Sequence, residues 1–173
     1  DDALLVRKPL RGAREFRKRG SGALVKDRYK IDLTPQAMQV LLINDHGRAY
    51  GGAELQMLAV RDSLAARGHD IRLFSSNAEM IPGFPLLAER TCHGQTDLGQ
   101  VVLQSANPMA WQALRAELRS NPPDVVHVRS YLWQLSPLIL PLLRDLPVLH
   151  QAPTYKEICP NGLKLLPDRT NCT

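Results

Sequence analysis

The sequence predicts an α/β fold, a parallel sheet with helices on both faces, and three observations carry that prediction. Short apolar runs suited to strands recur at residues 39–43 and 71–74 and at Val125–Val128 and Val148–His150, the first of them fitting a strand buried on both faces. Segments of helical periodicity separate them, and the links between are short. Most compactly, residues 38–76 read as strand, glycine-bearing loop, helix and second strand in succession.

Taken in order, residues 39–43 form the first strand, and residues 44–52 hold three glycines and no long apolar run, so the chain turns there. From Ala53 the apolar residues Ala53, Met57, Val60 and Leu64 fall on one helical face, and Gly68 stops the helix as a C′ glycine does. Residues 71–74 are the second strand. Residues 77–98 carry proline and glycine with no clean period, and residues 101–103 are read as a short strand. Asn107-Pro108 supplies the N-cap and N1 of a helix reaching about Arg119, with Trp111, Leu114 and Leu118 as its apolar face and Asn121-Pro122-Pro123 as its stop. Val125–Val128 is another buried strand, Ser136-Pro137 opens a further helix, and Val148–His150 closes the series.

Gly51 and Gly52 lie just before a helix N-terminus, where unpaired N–H groups and the dipole favour an anion and the lack of side chains lets a phosphate or sugar approach closely. A tight turn that needs glycine for its dihedrals is the alternative. The dinucleotide fingerprint G-x-G-x-x-G is absent, Phe74-Ser75-Ser76 ends the second strand where a ribose-binding acid would stand, and no Gly-Lys-Ser/Thr follows the loop.

The combination QVLLIN, GGAE and LAARGHDIRLFSS resembles the opening of the family 4 glycosyltransferases, whose two Rossmann-like domains form the GT-B fold. Asp124-Val-Val-His-Val128 resembles the family's fourth-strand signature, and Leu149-His150 followed by Ile158-Cys-Pro-Asn-Gly162 resembles its LHDYWxxCPxG segment. The resemblance runs from about Met38 to Cys172. It implies a Rossmann-like domain over residues 38–173, the N-terminal, acceptor-side half of a retaining transferase that moves a sugar from a nucleotide-sugar donor to an acceptor hydroxyl, in glycan or glycolipid biosynthesis. In the family a C-terminal domain holds most of the donor site, including two glutamates separated by seven residues. This chain has no such pair and ends at Thr173 inside the motif, so on this reading it turns over little or nothing alone. A solitary non-catalytic binding or assembly module is the rival reading.

In parallel sheets ligands gather beyond the carboxyl ends of the strands. There the resemblance assigns Gly51 and Gly52 to the donor phosphates and sugar, and His150 to catalysis, its imidazole donating to a sugar hydroxyl or to an oxygen gaining charge. Asn44, Arg129 and Ser130 are assigned to the acceptor. Arg129 stands where relatives often have a second histidine, and it reads equally as an anion receptor or a surface charge. Gln151 replaces the usual aspartate, and Ala152-Pro153 an aromatic pair. His127 is expected to be buried and hydrogen-bonded. Glu54 suits the helix dipole, and His46 and His69 receive no role. The family usually needs neither metal nor cofactor beyond the nucleotide-sugar co-substrate.

The net charge of +5 has a local origin, because residues 1–37 hold ten Lys and Arg against five acids while the remainder is neutral. Pro9, Gly12, Gly20 and Gly22 interrupt any helix in this extension, which reads first as a solvated tail and second as a peripheral contact with an anionic membrane surface. Only Phe16 and Tyr29 interleave its charges, against nucleic-acid binding. The longest apolar stretch, residues 135–143, is too short to cross a bilayer, and no signal peptide is apparent, so the expected location is cytoplasmic or at the inner membrane surface. Cys92, Cys159 and Cys172 are expected to be structural or free thiols.

Overall fold

Five strands, β1 (Gln39–His46), β2 (Asp70–Ser76), β3 (Arg90–Cys92), β4 (Val125–Val128) and β5 (Val148–His150), form one parallel sheet in the order β3-β2-β1-β4-β5. The computed structural model describes residues 36–155 together with Ile158, Cys159 and Thr170. The basic extension, except for its last two residues, and the segment containing Asn161, Gly162 and Cys172 lie outside the described residues.

Alternation along β1 explains why both faces are covered. Leu41 and Ile43 face the layer built by α3 (Pro108–Ser120) and a 3-10 helix (Pro137–Leu143), joining Phe74, Leu114, Val126 and Ile139 in the larger core. Val40 and Leu42 face α1 (Gly52–Ala65) and pack with Met57, Leu58 and Leu73. Asn107 caps α3 as its position before Pro108 predicts: its carboxamide oxygen accepts from Ala110 N–H at 2.9 Å. At the far end of α3, Glu117 is buried and pairs with both Arg72 and Arg90, which ties the helix to β2 and β3.

One expectation is corrected, and one strand the sequence did not show is added. Residues 101–103 belong to α2 (Leu98–Ser105), whose first turn is capped by Asp97, its carboxylate accepting from Gly99 N–H at 2.9 Å. The edge strand is β3, three residues too short and too polar to show a period. Smaller differences also appear. The buried face of α1 is Met57 and Leu58, with Val60 and Leu64 only half-buried. The helix opened by Ser136-Pro137 is 3-10 in form, with Pro141 inside it.

Candidate functional site

The strand order reverses direction between β1 and β4, so the crevice outside the carboxyl ends of these two strands is where an α/β sheet receives ligands. β1 runs three residues beyond its apolar core, and its last three, Asn44, Asp45 and His46, are all buried. An ionised carboxylate removed from water must be surrounded by donors, and Asp45 is. Its Oδ1 accepts from the N–H groups of Gln134 at 2.7 Å and Leu135 at 2.9 Å, and its Oδ2 accepts from Ser130 Oγ at 2.5 Å and Trp133 N–H at 3.0 Å. One side chain at the end of β1 thus shapes the loop that follows β4. Sequence reasoning missed it; the available signal was an acid ending a strand otherwise buried on both faces.

The loop after β1 is fastened to the segment after β2. Arg48 donates to the carbonyl of Phe84 and lies 3.6 Å from Glu79. Tyr50 Oη accepts from Met80 N–H at 2.9 Å, and its ring meets those of His46 and Phe84 edge-on. Gly47 is required by packing, since a Cβ there would lie 2.3 Å from Ser75 Oγ and 2.7 Å from Ala88 Cβ.

Gly51 and Gly52 differ from Gly47. Gly51 has extended backbone, φ −154°, which any residue adopts, and a Cβ on it would touch only Glu54 Oε2, at 3.4 Å. A Cβ on Gly52 would meet nothing within 4 Å. The described chain therefore has no dihedral or packing need for glycine at either position. Gly51 also supplies no side-chain cap, which leaves the first N–H groups of α1 without one.

The remaining predicted residues sit at the same edge in different states. His150 ends β5 on the exposed side, its ring 5.8 Å from that of Tyr131 at a tilt of 52°. Ser130 is half-buried with its hydroxyl on Asp45. Asn44 is turned inward, its amide donating to the carbonyl of His46 at 2.8 Å, so it braces the loop in this structure. Arg129 is not a surface charge: it is 2% exposed, its N–H donates to Ile43 O, and Nη2 donates to Gln56 Oε1 on α1 at 3.2 Å. His127 is buried in the α1-facing layer, in register with Leu42. Burial holds its imidazole below the ordinary value, opposed by a hydrogen bond with Gln151 and reinforced by Arg129 and His150. His46 is lowered too, chiefly by burial, with Asp45 and Glu54 acting in the other direction.

Cys92 and Cys159 are both buried, and burial pushes the Cys92 thiol up to about 12.

A model of Glycosyltransferase Family 4 matches residues 50–152, more than half of the chain, opening at the glycine loop and closing just beyond β5. The chain belongs to glycosyltransferase family 4. A comparison with curated proteins gave no match. Membership of glycosyltransferase family 4 carries a glycosyltransferase-like function, with sugar donors and acceptors as the general substrate class. Among the described residues of this family 4 domain, no helix is long and apolar enough to cross a membrane.

Proposed function

We propose that this domain is the acceptor-side wall of a retaining glycosyltransferase cleft, transferring a sugar from a nucleotide-sugar donor to an acceptor hydroxyl in glycan or glycolipid biosynthesis. The observation that carries this reading is the pair Gly51-Gly52: two positions at an uncapped helix N-terminus, beside the switch point of the sheet, whose lack of side chains answers no need of the described chain. A phosphate or sugar approaching that main chain closely supplies the need. In the reaction the bond from the anomeric carbon to the phosphate oxygen breaks and the nucleoside diphosphate leaves. The acceptor oxygen bonds to the same face of that carbon and passes its proton to the departing phosphate oxygen.

In this reading His150 donates a hydrogen bond to the donor sugar, and the loop after β4, with Arg129 and Ser130, meets the acceptor. Asn44 supports the loop from beneath. The transfer needs no metal or further cofactor. A second α/β domain facing this edge holds the nucleotide, and the protein works in the cytoplasm or at the inner membrane surface, where residues 1–37 supply any peripheral contact.

The test is calorimetric binding of a panel of nucleotide sugars to the 173-residue chain, alongside a transfer assay. Weak binding that a Gly52→Val substitution abolishes, with little or no transfer, is the expected result. Full transfer by these residues alone overturns the half-enzyme reading, and indifference to every nucleotide sugar supports a non-catalytic module instead.

A further inference from the structure

Arg129 heads the fully buried side chains of the described residues in size. Arginine is almost never buried completely without a carboxylate partner, because a guanidinium removed from water loses hydration that only a matching charge replaces. The same fold follows that rule at Arg72, whose side chain is 11% exposed and paired with Glu117. Arg129 departs from it. Among the described residues no carboxylate lies within ion-pairing distance of its guanidinium. A guanidinium carries five N–H donors. Nη2 reaches the neutral oxygen of Gln56 at 3.2 Å, and Nε is buried with no acceptor among the described residues. Glu54, on the first turn of α1, attracts it only from a distance.

The location is as informative as the missing partner. Arg129 lines a cavity at the carboxyl edge of the sheet with Ser130, Tyr131, Trp133 and Thr154. Trp133 and Thr154 are exposed, so the cavity lies at the surface and not in the core. Its volume, about 10 Å³, is that of a water-sized group, which is also the size of one oxygen of a phosphate or carboxylate. Gln56, its neutral acceptor among the described residues, belongs to the helix whose uncapped N-terminus carries Gly51 and Gly52. A negative oxygen that reaches the guanidinium from this edge of the sheet meets a fixed cation already removed from competing water.

We infer that Arg129 is the receptor for an oxyanion, a phosphate or carboxylate, borne by a substrate of this domain. The inference rests on the transferase reading for which substrate carries the anion, the acceptor or the donor diphosphate. It does not rest on that reading for the anion site itself.

The full chain is titrated calorimetrically with inorganic phosphate, with glucose 6-phosphate against glucose, and with uridine diphosphate against uridine. Arg129→Met removes the buried charge at similar length, and Arg129→Lys keeps a cation but loses the fork. Phosphate should bind the wild type, and Arg129→Met should weaken it by about tenfold or more, the loss of a charge-assisted bond. Arg129→Lys should fall between, which keeps the test readable if the methionine variant folds poorly. The same loss with glucose 6-phosphate but not uridine diphosphate assigns the anion to the acceptor, and the reverse pattern assigns it to the donor. Without any anion, Arg129→Met should melt no lower than the wild type, because an unmatched buried charge has been removed. Wild-type affinity for all three anions in both variants overturns the inference, as does a wild type that binds none of them. A chain that binds phosphate through Arg129 yet ignores every nucleotide sugar refutes the transferase reading and leaves the anion site standing.

Discussion

Replacing Asp45 by asparagine exchanges one carboxylate oxygen for an NH2 group at nearly constant volume. In the better orientation the remaining oxygen keeps the N–H groups of Gln134 and Leu135, at 2.7 and 2.9 Å. Both bonds lose their charge assistance, which is worth about 1 kcal/mol each. The new NH2 then faces Ser130 Oγ, which can turn to accept, and Trp133 N–H, which cannot. A buried N–H left without an acceptor costs about 1–3 kcal/mol. The total is roughly 3–5 kcal/mol, a large share of the roughly 5–15 kcal/mol that holds an ordinary domain together. Urea unfolding at neutral pH reads this directly: with a slope of about 2 kcal/mol per molar, the midpoint should fall by about 2 M. Hydrogen exchange should accelerate at Trp133, Gln134 and Leu135 before it does in β1. Ser130→Ala, which removes one of the four bonds, should cost about 1 kcal/mol. An Asp45→Asn chain that loses less than about 1 kcal/mol, with unchanged exchange in 133–135, refutes the view that this carboxylate organises the loop.

The glycines give an opposed pair: Gly47→Ala should destabilise, because the 2.3 and 2.7 Å contacts with Ser75 and Ala88 force the backbone apart, whereas Gly52→Ala should stabilise by about 0.5–1 kcal/mol in thermal melts. Equal effects of the two would contradict the packing described. Glu117→Ala should cost about 3 kcal/mol by leaving the largely covered Arg72 unmatched, while Arg90→Ala, whose side chain is 53% exposed, should cost under about 1 kcal/mol in urea unfolding. Acid should weaken the fold from about pH 6.5 downward, because the unfolded chain protonates its histidines near that value while burial holds His46 and His127 lower in the native state. Stability present above pH 6.5 is thus lost as the pH falls toward the native values. His127→Gln should flatten the decline between about pH 7 and pH 5, and an unchanged slope would exclude His127 as a contributor.

The strands were legible where burial on both faces writes an apolar run, as in β1, β2 and β4, and α3 was legible because Asn107 and Pro108 announce its start. β3 was not, since it is only three residues long and Arg90 and Thr91 are themselves exposed at the edge of the sheet, so no apolar pattern is written there. The error over residues 101–103 has a related cause. Val101 and Val102 favour strands by propensity, and the signals that outweigh it are the Asp97 cap and a helical spacing that leaves Leu98, Val101 and Val102 exposed. At the candidate site, sequence grouped these residues at one edge of the sheet but did not give the direction of each side chain. Asn44 and Arg129 read alike as polar residues at strand ends, yet one is turned inward as a brace and the other is a buried cation. Asp45 escaped because its four partners lie 85 to 90 positions further along the chain, beyond any local pattern.

That separation also governs the order of assembly. β1 has two neighbours, and they arrive at very different times: Gln39 pairs with Asp70 across a helical crossover, while Val40 must wait for Val125. Closing the longer loop costs more chain entropy and rewards it later. The β1–α1–β2 unit therefore condenses early, and the β4 edge with its Asp45 bonds forms on the native side of the folding barrier. Changes at Asp45 should then act mainly on the unfolding rate and hardly on the folding rate. The seam between β1 and β4, at which the candidate site of this glycosyltransferase family 4 domain lies, should close after the β1–β2 pairing and open before it.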